Sequence, residues 1–222
     1  MFAPSPLVGR VGEGSVVMER MSMQEYLDTE PLSEVKREYL DGMVVAMAGA
    51  SDRHGLICTA LAIALGPLAR KSGCQLFIAD MKVRVQALRG TYFYYPDLVL
   101  SCDAQDRESP YYRRRPCLVV EVTSPSTERI DRREKLFAYQ QAPGLREYLI
   151  VDSASATVDR YHRAQGEPGE EWDFTRCTAG SLRLDCLNAD LALAEVYADV
   201  PELAAAVSAV ASAVAAAKST PA

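Results

Sequence analysis

A run of apolar residues with one acid at its centre, residues 118–126 (LVVEVTSPS), constrains the fold of this chain more than any other stretch. Its β-branched residues do not alternate with polar ones, which predicts a strand that is covered on both faces. An unpaired carboxylate is costly in such a strand. Glu121 therefore needs a cation, a hydrogen-bonding partner or access to solvent, and which of these it has bears directly on function.

The elements around this strand predict a mixed sheet flanked by helices. A short helix begins after Ser22, a turn at Asp41-Gly42 connects two strands of a hairpin, and a long helix covers residues 53–71. Further strands are predicted over residues 75–80, 82–86, 94–100, 118–122, 147–152 and 157–162, and a second helix over residues 130–141. This succession of helices and strands predicts an α/β (α+β) fold with a mixed central β-sheet.

Length and charge bound the class of protein. The 222 residues carry a formal net charge of −6, which argues against a protein that coats nucleic acid nonspecifically but does not address a localised site. The sequence predicts neither a transmembrane helix nor a signal peptide. We expect a flexible arm over residues 1–19, a folded domain over residues 20–196, and an alanine-rich helix or tail over residues 197–222.

The six cysteines contain no C-x-x-C pair. Most of them lie inside apolar runs, as Cys58 and Cys117 do, which predicts buried free thiols in a reducing compartment. Closely spaced zinc ligands are also missing, since the chain has only two histidines. These observations predict a cytoplasmic protein without a zinc site.

Two acids stand at strand positions where chemistry is plausible. Asp97 follows Pro96 and leads directly into an apolar strand, and Glu121 lies within the next buried strand. If the two strands pair, both carboxylates converge on one point, and paired oxygen ligands suit Mg²⁺ or Mn²⁺. The alternative is structural: Asp97 caps a turn, and Glu121 pairs with a nearby arginine. Glu38 upstream and Lys135 downstream favour a site.

Five motifs in this chain, taken in order, resemble those of a known family. They are REYLDG, SDRHG, YYPDLVLS, LVVEVTSPSTERIDRREKLFAY and LREYLIVD, and together they fall within residues 20–196. In this order they resemble the Uma-two family of restriction-endonuclease-like proteins, within the PD-(D/E)XK nuclease superfamily. The resemblance implies a restriction-endonuclease-like core and Mg²⁺-dependent (or Mn²⁺-dependent) hydrolysis of phosphodiester bonds.

The resemblance also assigns roles to individual residues. Asp97 matches the aspartate of the P-D motif, Glu121 matches the first acid of (D/E)-X-K, and Glu38 matches an additional upstream acid. The implied metal contacts are these three carboxylates and the backbone carbonyl of Val122.

The chain departs from the superfamily pattern at Thr123, which stands where a lysine is expected. A threonine cannot supply the positive charge that stabilises the transition state. Lys135, in the following helix, is the predicted substitute, with Lys82 as a second candidate. The structural alternative for Lys135 is a surface pair with Asp131 at i−4.

Other polar residues of these motifs have simpler explanations. Ser124 and Ser126 are interpreted as helix caps, and Tyr139 as a packing residue. His54, in the first turn of the long helix, either approaches the site or a phosphate or lies at the surface, and a surface position is the preferred interpretation.

The resulting hypothesis is a metal-dependent DNA endonuclease. The basic residues within residues 113–133 are expected to contact the DNA backbone, and cutting both strands favours a two-fold homodimer to which the alanine-rich tail contributes. Two alternatives remain open: an inactive nuclease fold that serves as a binding or assembly module, and a structural homo-oligomer whose buried acids are only ion pairs.

Overall fold

The computed structural model describes residues 18–47, 49–123 and 131–218. Most of the predicted amino-terminal arm and the predicted helix caps Ser124 and Ser126 lie outside these residues. Within the described ranges, none of the helices combines the length and the apolar character needed to cross a membrane.

Two sheets and a hairpin make up the β structure, and five α-helices accompany them in the part of the chain described. The strands are β1 (Met18–Arg20), β2 (Arg37–Leu40), β3 (Met43–Ala46), β4 (Gln75–Ile78), β5 (Lys82–Ala87), β6 (Gly90–Tyr94), β7 (Leu98–Ser101), β8 (Tyr112–Arg113), β9 (Leu118–Thr123), β10 (Glu147–Asp152), β11 (Val158–His162), β12 (Asp173–Cys177), β13 (Ser181–Leu184) and β14 (Ala189–Ala192). The helices are α1 (Met23–Thr29), α2 (Asp52–Lys71), α3 (Leu136–Tyr139), α4 (Leu193–Val196) and α5 (Pro201–Lys218). A 3₁₀ turn follows α1 at Glu30–Leu32, and a π-helical turn precedes α3 at Asp131–Lys135.

The central sheet has the strand order β12-β11-β10-β9-β7-β4. Strand β9 runs parallel to β10 and antiparallel to β7, so the sheet is mixed and the predicted fold class is confirmed. All six residues of β9 are buried, as its apolar sequence predicts. Helix α2 packs Ile57 and Leu61 into the core on one face of the sheet, while Tyr139 belongs to the core on the other face.

The second sheet has the order β1-β3-β2-β6-β5-β8 and contains the predicted hairpin. Asp41 and Gly42, with φ angles of 48° and 93°, form its two-residue turn, and the positive φ values explain the D-G sequence. Although β4 and β5 are close in sequence, they belong to different sheets. The chain crosses over at Ala79, which has a φ of 57°.

Four of the six cysteines are joined in disulfides, so the expectation of free thiols is wrong for them. The disulfides are Cys74–Cys102 and Cys117–Cys186, and Cys58 and Cys177 are free. Strand pairing explains the first: Gln75 lies opposite Ser101 in β4 and β7, so the flanking cysteines meet with Cα atoms 4.2 Å apart. The register between two strands decides which residues lie opposite each other, and the spacing of cysteines along the sequence does not reveal that register.

Candidate active site

Glu121 has both a cation and hydrogen-bond donors as partners. Its side chain is buried in β9, and its Oε1 accepts a hydrogen bond from Lys135 Nζ at 3.0 Å and one from Tyr139 Oη at 3.3 Å. Burial and the nearby Glu121 carboxylate raise the pKa of the Tyr139 phenol well above its usual value. Tyr139 therefore remains protonated as a donor, and it does more than pack.

Lys135 connects two of the predicted acids. Its Nζ lies 3.2 Å from Glu38 Oε1 as well as 3.0 Å from Glu121 Oε1. Only 7% of the residue is exposed, and the ammonium lies 5.7 Å from the centre of the Tyr94 ring. The π-helical turn at Asp131–Lys135 carries this lysine at its carboxyl end, where it reaches back to β9. The structure thus places the predicted substitute lysine between two carboxylates.

Asp97 lies at the start of β7, beside β9. The antiparallel pairing of Leu98 with Val120 places Asp97 and Glu121 opposite each other at the same end of the two strands. Asp97 Oδ2 accepts a hydrogen bond from the Val122 backbone N–H at 2.7 Å. The condition that the two strands pair side by side is therefore met, and the Val122 backbone lies at the Asp97 carboxylate.

Glu38 approaches from the second sheet. It lies on β2, and its Oε1 accepts a hydrogen bond from the Tyr95 backbone N–H at 3.1 Å, two residues before Asp97. The contact with Lys135 then links this carboxylate to Glu121. Glu38 and Glu121 therefore share Lys135 as a partner, while Asp97 lies opposite Glu121 on the neighbouring strand.

The lysine position of the superfamily motif contributes no charge here. Thr123 is buried, and its Oγ1 lies 3.5 Å from the Val151 carbonyl oxygen on β10. The other candidate, Lys82, donates to Tyr95 Oη at 3.1 Å, and Tyr95 Oη donates to Glu30 Oε1 at 3.1 Å. Burial lowers the pKa of the Lys82 ammonium. Lys82 therefore belongs to a cluster around Tyr95 and Glu30.

His54 lies at the site, which is the less favoured of its two sequence interpretations. Ser51 caps α2 by accepting the His54 backbone N–H, and the imidazole Nε2 lies 3.2 Å from Asp97 Oδ2. One turn later, Cys58 Sγ lies 3.6 Å from His54 Nδ1. Burial, with the charges of Asp97 and Glu121, raises the pKa of the Cys58 thiol, so it stays protonated.

The sequence alone ranks a role for His54 at the site below a surface position because its contact with Asp97 is tertiary. The only local indication is that Ser51 caps the helix and places the histidine in its first turn, at the end nearest the strand.

Donor atoms cluster tightly at one part of this site. Among the described residues, one set of three donors lying within 4.8 Å of one another is His54, Cys58 and Asp97. Glu38, Asp97 and Glu121 do not form such a set in the described part of the chain. The structure joins Glu38 and Glu121 through Lys135, and neither of these pairs involves an arginine.

Two cavities flank the acids. One of about 430 Å³ is lined by residues that include His54, Cys58, Tyr95 and Asp97. The other, of about 340 Å³, lies beside Lys135. Its lining includes Arg89, Tyr92, Tyr94, Arg133 and Phe137. Asp97 lines the first cavity, whereas the second is lined by the two sequence neighbours of Arg133 and Phe137, Glu134 and Ala138, and by none of the four predicted catalytic residues.

The predicted basic segment, residues 113–133, is largely occupied by internal contacts. Arg113 is buried and donates to the Ser109 carbonyl oxygen at 2.8 Å, so the expectation that it contacts DNA is wrong. Arg114 is paired with Glu108, and Arg115 with Asp103 at 3.1 Å. Arg129 lies outside the described residues. Arg133 is exposed and lines the cavity beside Lys135.

Known proteins share this fold and sequence. A solved structure from Anabaena variabilis, titled "a putative nuclease belonging to DUF820", superposes with a TM-score of 0.61 at 15% identity, over 80% of this chain and 98% of that one. Protein slr1290 of Synechocystis sp. is 36% identical over 149 residues, which are 67% of this chain and 77% of that protein. Protein sll1609 of the same organism is 26% identical over 145 residues, 64% of this chain and 81% of the relative. Because the Uma2 family profile, described as "Putative restriction endonuclease", matches residues 23–194, the chain belongs to the Uma2 family.

Proposed function

We propose that this protein is a metal-dependent endonuclease that hydrolyses phosphodiester bonds in DNA. The observation that carries the proposal is the meeting of Asp97, Glu121 and Lys135 at one end of two adjacent buried strands. A buried carboxylate with a lysine and a second acid nearby is costly to maintain for stability alone, and such groups concentrate at functional sites. Membership of the Uma2 family supports the same activity.

The donor chemistry of the acids at the site supports a hard divalent cation. Asp97, Glu121 and Glu38 offer carboxylate oxygens, which are the ligands that Mg²⁺ and Mn²⁺ prefer. In the proposal these three acids and the Val122 carbonyl hold the ion. When bound, such an ion lowers the pKa of a coordinated water and neutralises the charge that grows on the phosphate.

The protein's own groups orient the reaction. The Val122 N–H and the His54 imidazole fix the Asp97 carboxylate, and Tyr139 fixes Glu121. In the proposed scheme, Lys135 takes the place of the lysine that Thr123 replaces. Its ammonium stabilises the negative charge that develops on the phosphoryl oxygens. Because the ammonium is buried, water screens it little, and its electrostatic attraction for a negative phosphoryl oxygen is stronger than at the surface.

The DNA would approach from the cavity beside Lys135. Exposed Arg89 and Arg133 can pair with phosphates there, and Tyr92 and Phe137 offer ring faces for unpaired bases. Cutting both strands of a duplex favours two such sites, so the proposal includes a two-fold homodimer. Helix α5, which exposes Val210 and Val214, is the element proposed to contribute to it.

Cleavage of a supercoiled plasmid tests the proposal. We expect nicked and linear products with Mg²⁺ or Mn²⁺ and none with excess chelator. Plasmid, linear duplex and single-stranded DNA that all stay intact with both ions would contradict the endonuclease. In that case, retained DNA binding in a mobility-shift assay would identify a binding module.

We expect His54→Ala to weaken metal binding at this site. The imidazole orients the ionised Asp97 carboxylate, and a hydrogen bond to a charged group contributes about 1.5–3 kcal/mol, so the Mn²⁺ dissociation constant should rise by about tenfold or more. Calorimetric titration with Mn²⁺ measures this without depending on cleavage. His162→Ala, at the chain's other histidine, is the matched control and should bind as wild type does. Equal affinity in the His54 variant would remove the histidine from the site.

A further inference from the structure

Four cysteines from four separate segments converge at one place. Cys74 follows α2, Cys102 follows β7, Cys117 precedes β9, and Cys186 lies in the turn between β13 and β14. They form two disulfides, and the two disulfides touch: Cys102 Sγ lies 3.9 Å from Cys186 Sγ. The convergence is not visible in the sequence, where these residues are 28 and 69 positions apart within each pair.

The sulfur positions match the dimensions of a tetrahedral thiolate site. The sulfur atoms of Cys102, Cys117 and Cys186 all lie within 4.8 Å of one another, and Cys74 is bonded to the first of them. A zinc–sulfur distance of about 2.3 Å in a tetrahedron places the sulfurs about 3.8 Å apart. Once the two sulfur–sulfur bonds are reduced, small side-chain rotations suffice to bring four thiolates around one ion.

The backbone around the cluster is held in place. The Cys117 N–H donates to the Leu100 carbonyl oxygen at 2.7 Å, the Cys74 N–H to Ala69 at 2.9 Å, and the Cys186 N–H to Glu147 Oε2 at 2.9 Å. A site of this kind has pre-positioned ligands, which lowers the entropy lost when an ion binds.

The cluster is separate from the candidate active site. Cys117 and Cys102 lie at the opposite ends of β9 and β7 from Glu121 and Asp97. Four or five residues of extended strand separate the two places by about 13–17 Å. Nothing about this cluster depends on the proposed endonuclease activity.

We propose that the four cysteines, in their reduced form, bind one Zn²⁺ ion as a structural site. Each disulfide takes two electrons and two protons from a dithiol reductant, which is itself oxidised to a disulfide, and the four resulting thiols release their protons when they coordinate zinc. Thiolates select zinc over Mg²⁺ or Mn²⁺, so this site does not compete for the ion of the carboxylates. Four protein ligands leave no open position, which makes the site structural.

The ion would hold the β13–β14 hairpin to the central sheet. Cys186 belongs to the hairpin, and the other three cysteines flank β4, β7 and β9. Leu182 and Leu191 of the hairpin already pack in the same core as Leu100 and Leu118. In the reduced protein, a zinc ion at the four cysteines would therefore stabilise the apolar contact that already exists between the hairpin and the central sheet.

Metal content and thiol state of the full chain test the proposal. Protein purified with zinc and a dithiol reductant should contain about one zinc ion per chain, as measured by inductively coupled plasma mass spectrometry. An organomercurial, which reacts with the thiolates, should release that zinc. Cys117→Ser and Cys186→Ser should each lose most of the zinc. Cys58→Ser and Cys177→Ser, at the two cysteines outside the cluster, should retain it.

Cobalt titration of the wild-type chain keeps the test valid if the cluster variants fail to fold. Co²⁺ added to the reduced protein should give the absorption of a tetrahedral thiolate complex, and zinc should displace it. Two disulfides that survive the reductant, four free thiols without metal, or equal zinc loss in the Cys58 and Cys177 variants would each overturn the proposal.

Discussion

Asp97→Asn and Glu121→Gln are each expected to reduce plasmid cleavage by at least about 10³-fold, because each removes a negative charge that the divalent ion requires. Both replacements keep the size of the side chain. The amide oxygen introduced by the first change can still accept the hydrogen bond from the Val122 N–H, and Lys135 retains Glu38 as a partner after the second. We therefore expect folded proteins that bind DNA in a mobility-shift assay but do not cut it.

Exposed acids provide controls that change the net charge equally. Glu195→Gln and Asp199→Asn change exposed acids that line neither cavity, and both variants should cleave as the wild type does. Rates would be measured under single-turnover conditions at saturating Mg²⁺ and Mn²⁺. Full activity in either site variant would remove that residue from the mechanism, and loss of activity in the controls would point to a nonspecific effect of charge.

Local sequence was sufficient to predict the strand that carries Glu121. An apolar run without alternation requires burial on both faces, and the structure buries every residue of β9. The hairpin at Asp41-Gly42 was predicted for a similarly local reason, since both residues take positive φ values. In each case the chemistry of a few consecutive residues determines the conformation.

Contacts between distant segments could not be predicted in the same way. The chain changes sheets at Ala79, which has no sequence feature that marks a crossover. His54 meets Asp97 only because α2 packs against the central sheet, and four cysteines meet because strand register brings them together. The sequence predicts that the basic residues within residues 113–133 contact DNA, yet Arg113 is buried and Arg114 and Arg115 are paired with acids.

Lys135 contacts Glu121 although Thr123 stands at the lysine position of the motif. Thr123 is buried, and its Oγ1 lies 3.5 Å from the Val151 carbonyl oxygen on β10. The π-helical turn after β9 delivers a cation to Glu121 from the helix side. In the proposed scheme, the lysine charge acts at Glu121 from a position twelve residues beyond Thr123 in the chain.

Lys135→Met is expected to cause the largest loss of stability among single changes at the site. The ammonium is buried between Glu38 and Glu121, and removal of one partner from a buried ion pair costs about 3–5 kcal/mol of unfolding free energy. Chemical denaturation measures this loss. Added Mn²⁺ should restore part of the stability, since the ion supplies the charge that the lysine provided.

Cleavage by the same variant separates a catalytic from a structural role for Lys135. With Mn²⁺ present and the protein folded, Lys135→Met should still cut at least about 10²-fold more slowly, because the donor to the developing phosphoryl charge is gone. Lys82→Met is the matched control, since it removes another buried lysine that contacts Tyr95 and not the acids joined by Lys135. This control should keep cleavage within about twofold of wild type, because it leaves the groups that face the phosphate unchanged. If Lys82→Met abolishes cleavage while Lys135→Met preserves it, Lys82 on β5 takes the place of the missing motif lysine. The role proposed for Lys135 is then wrong.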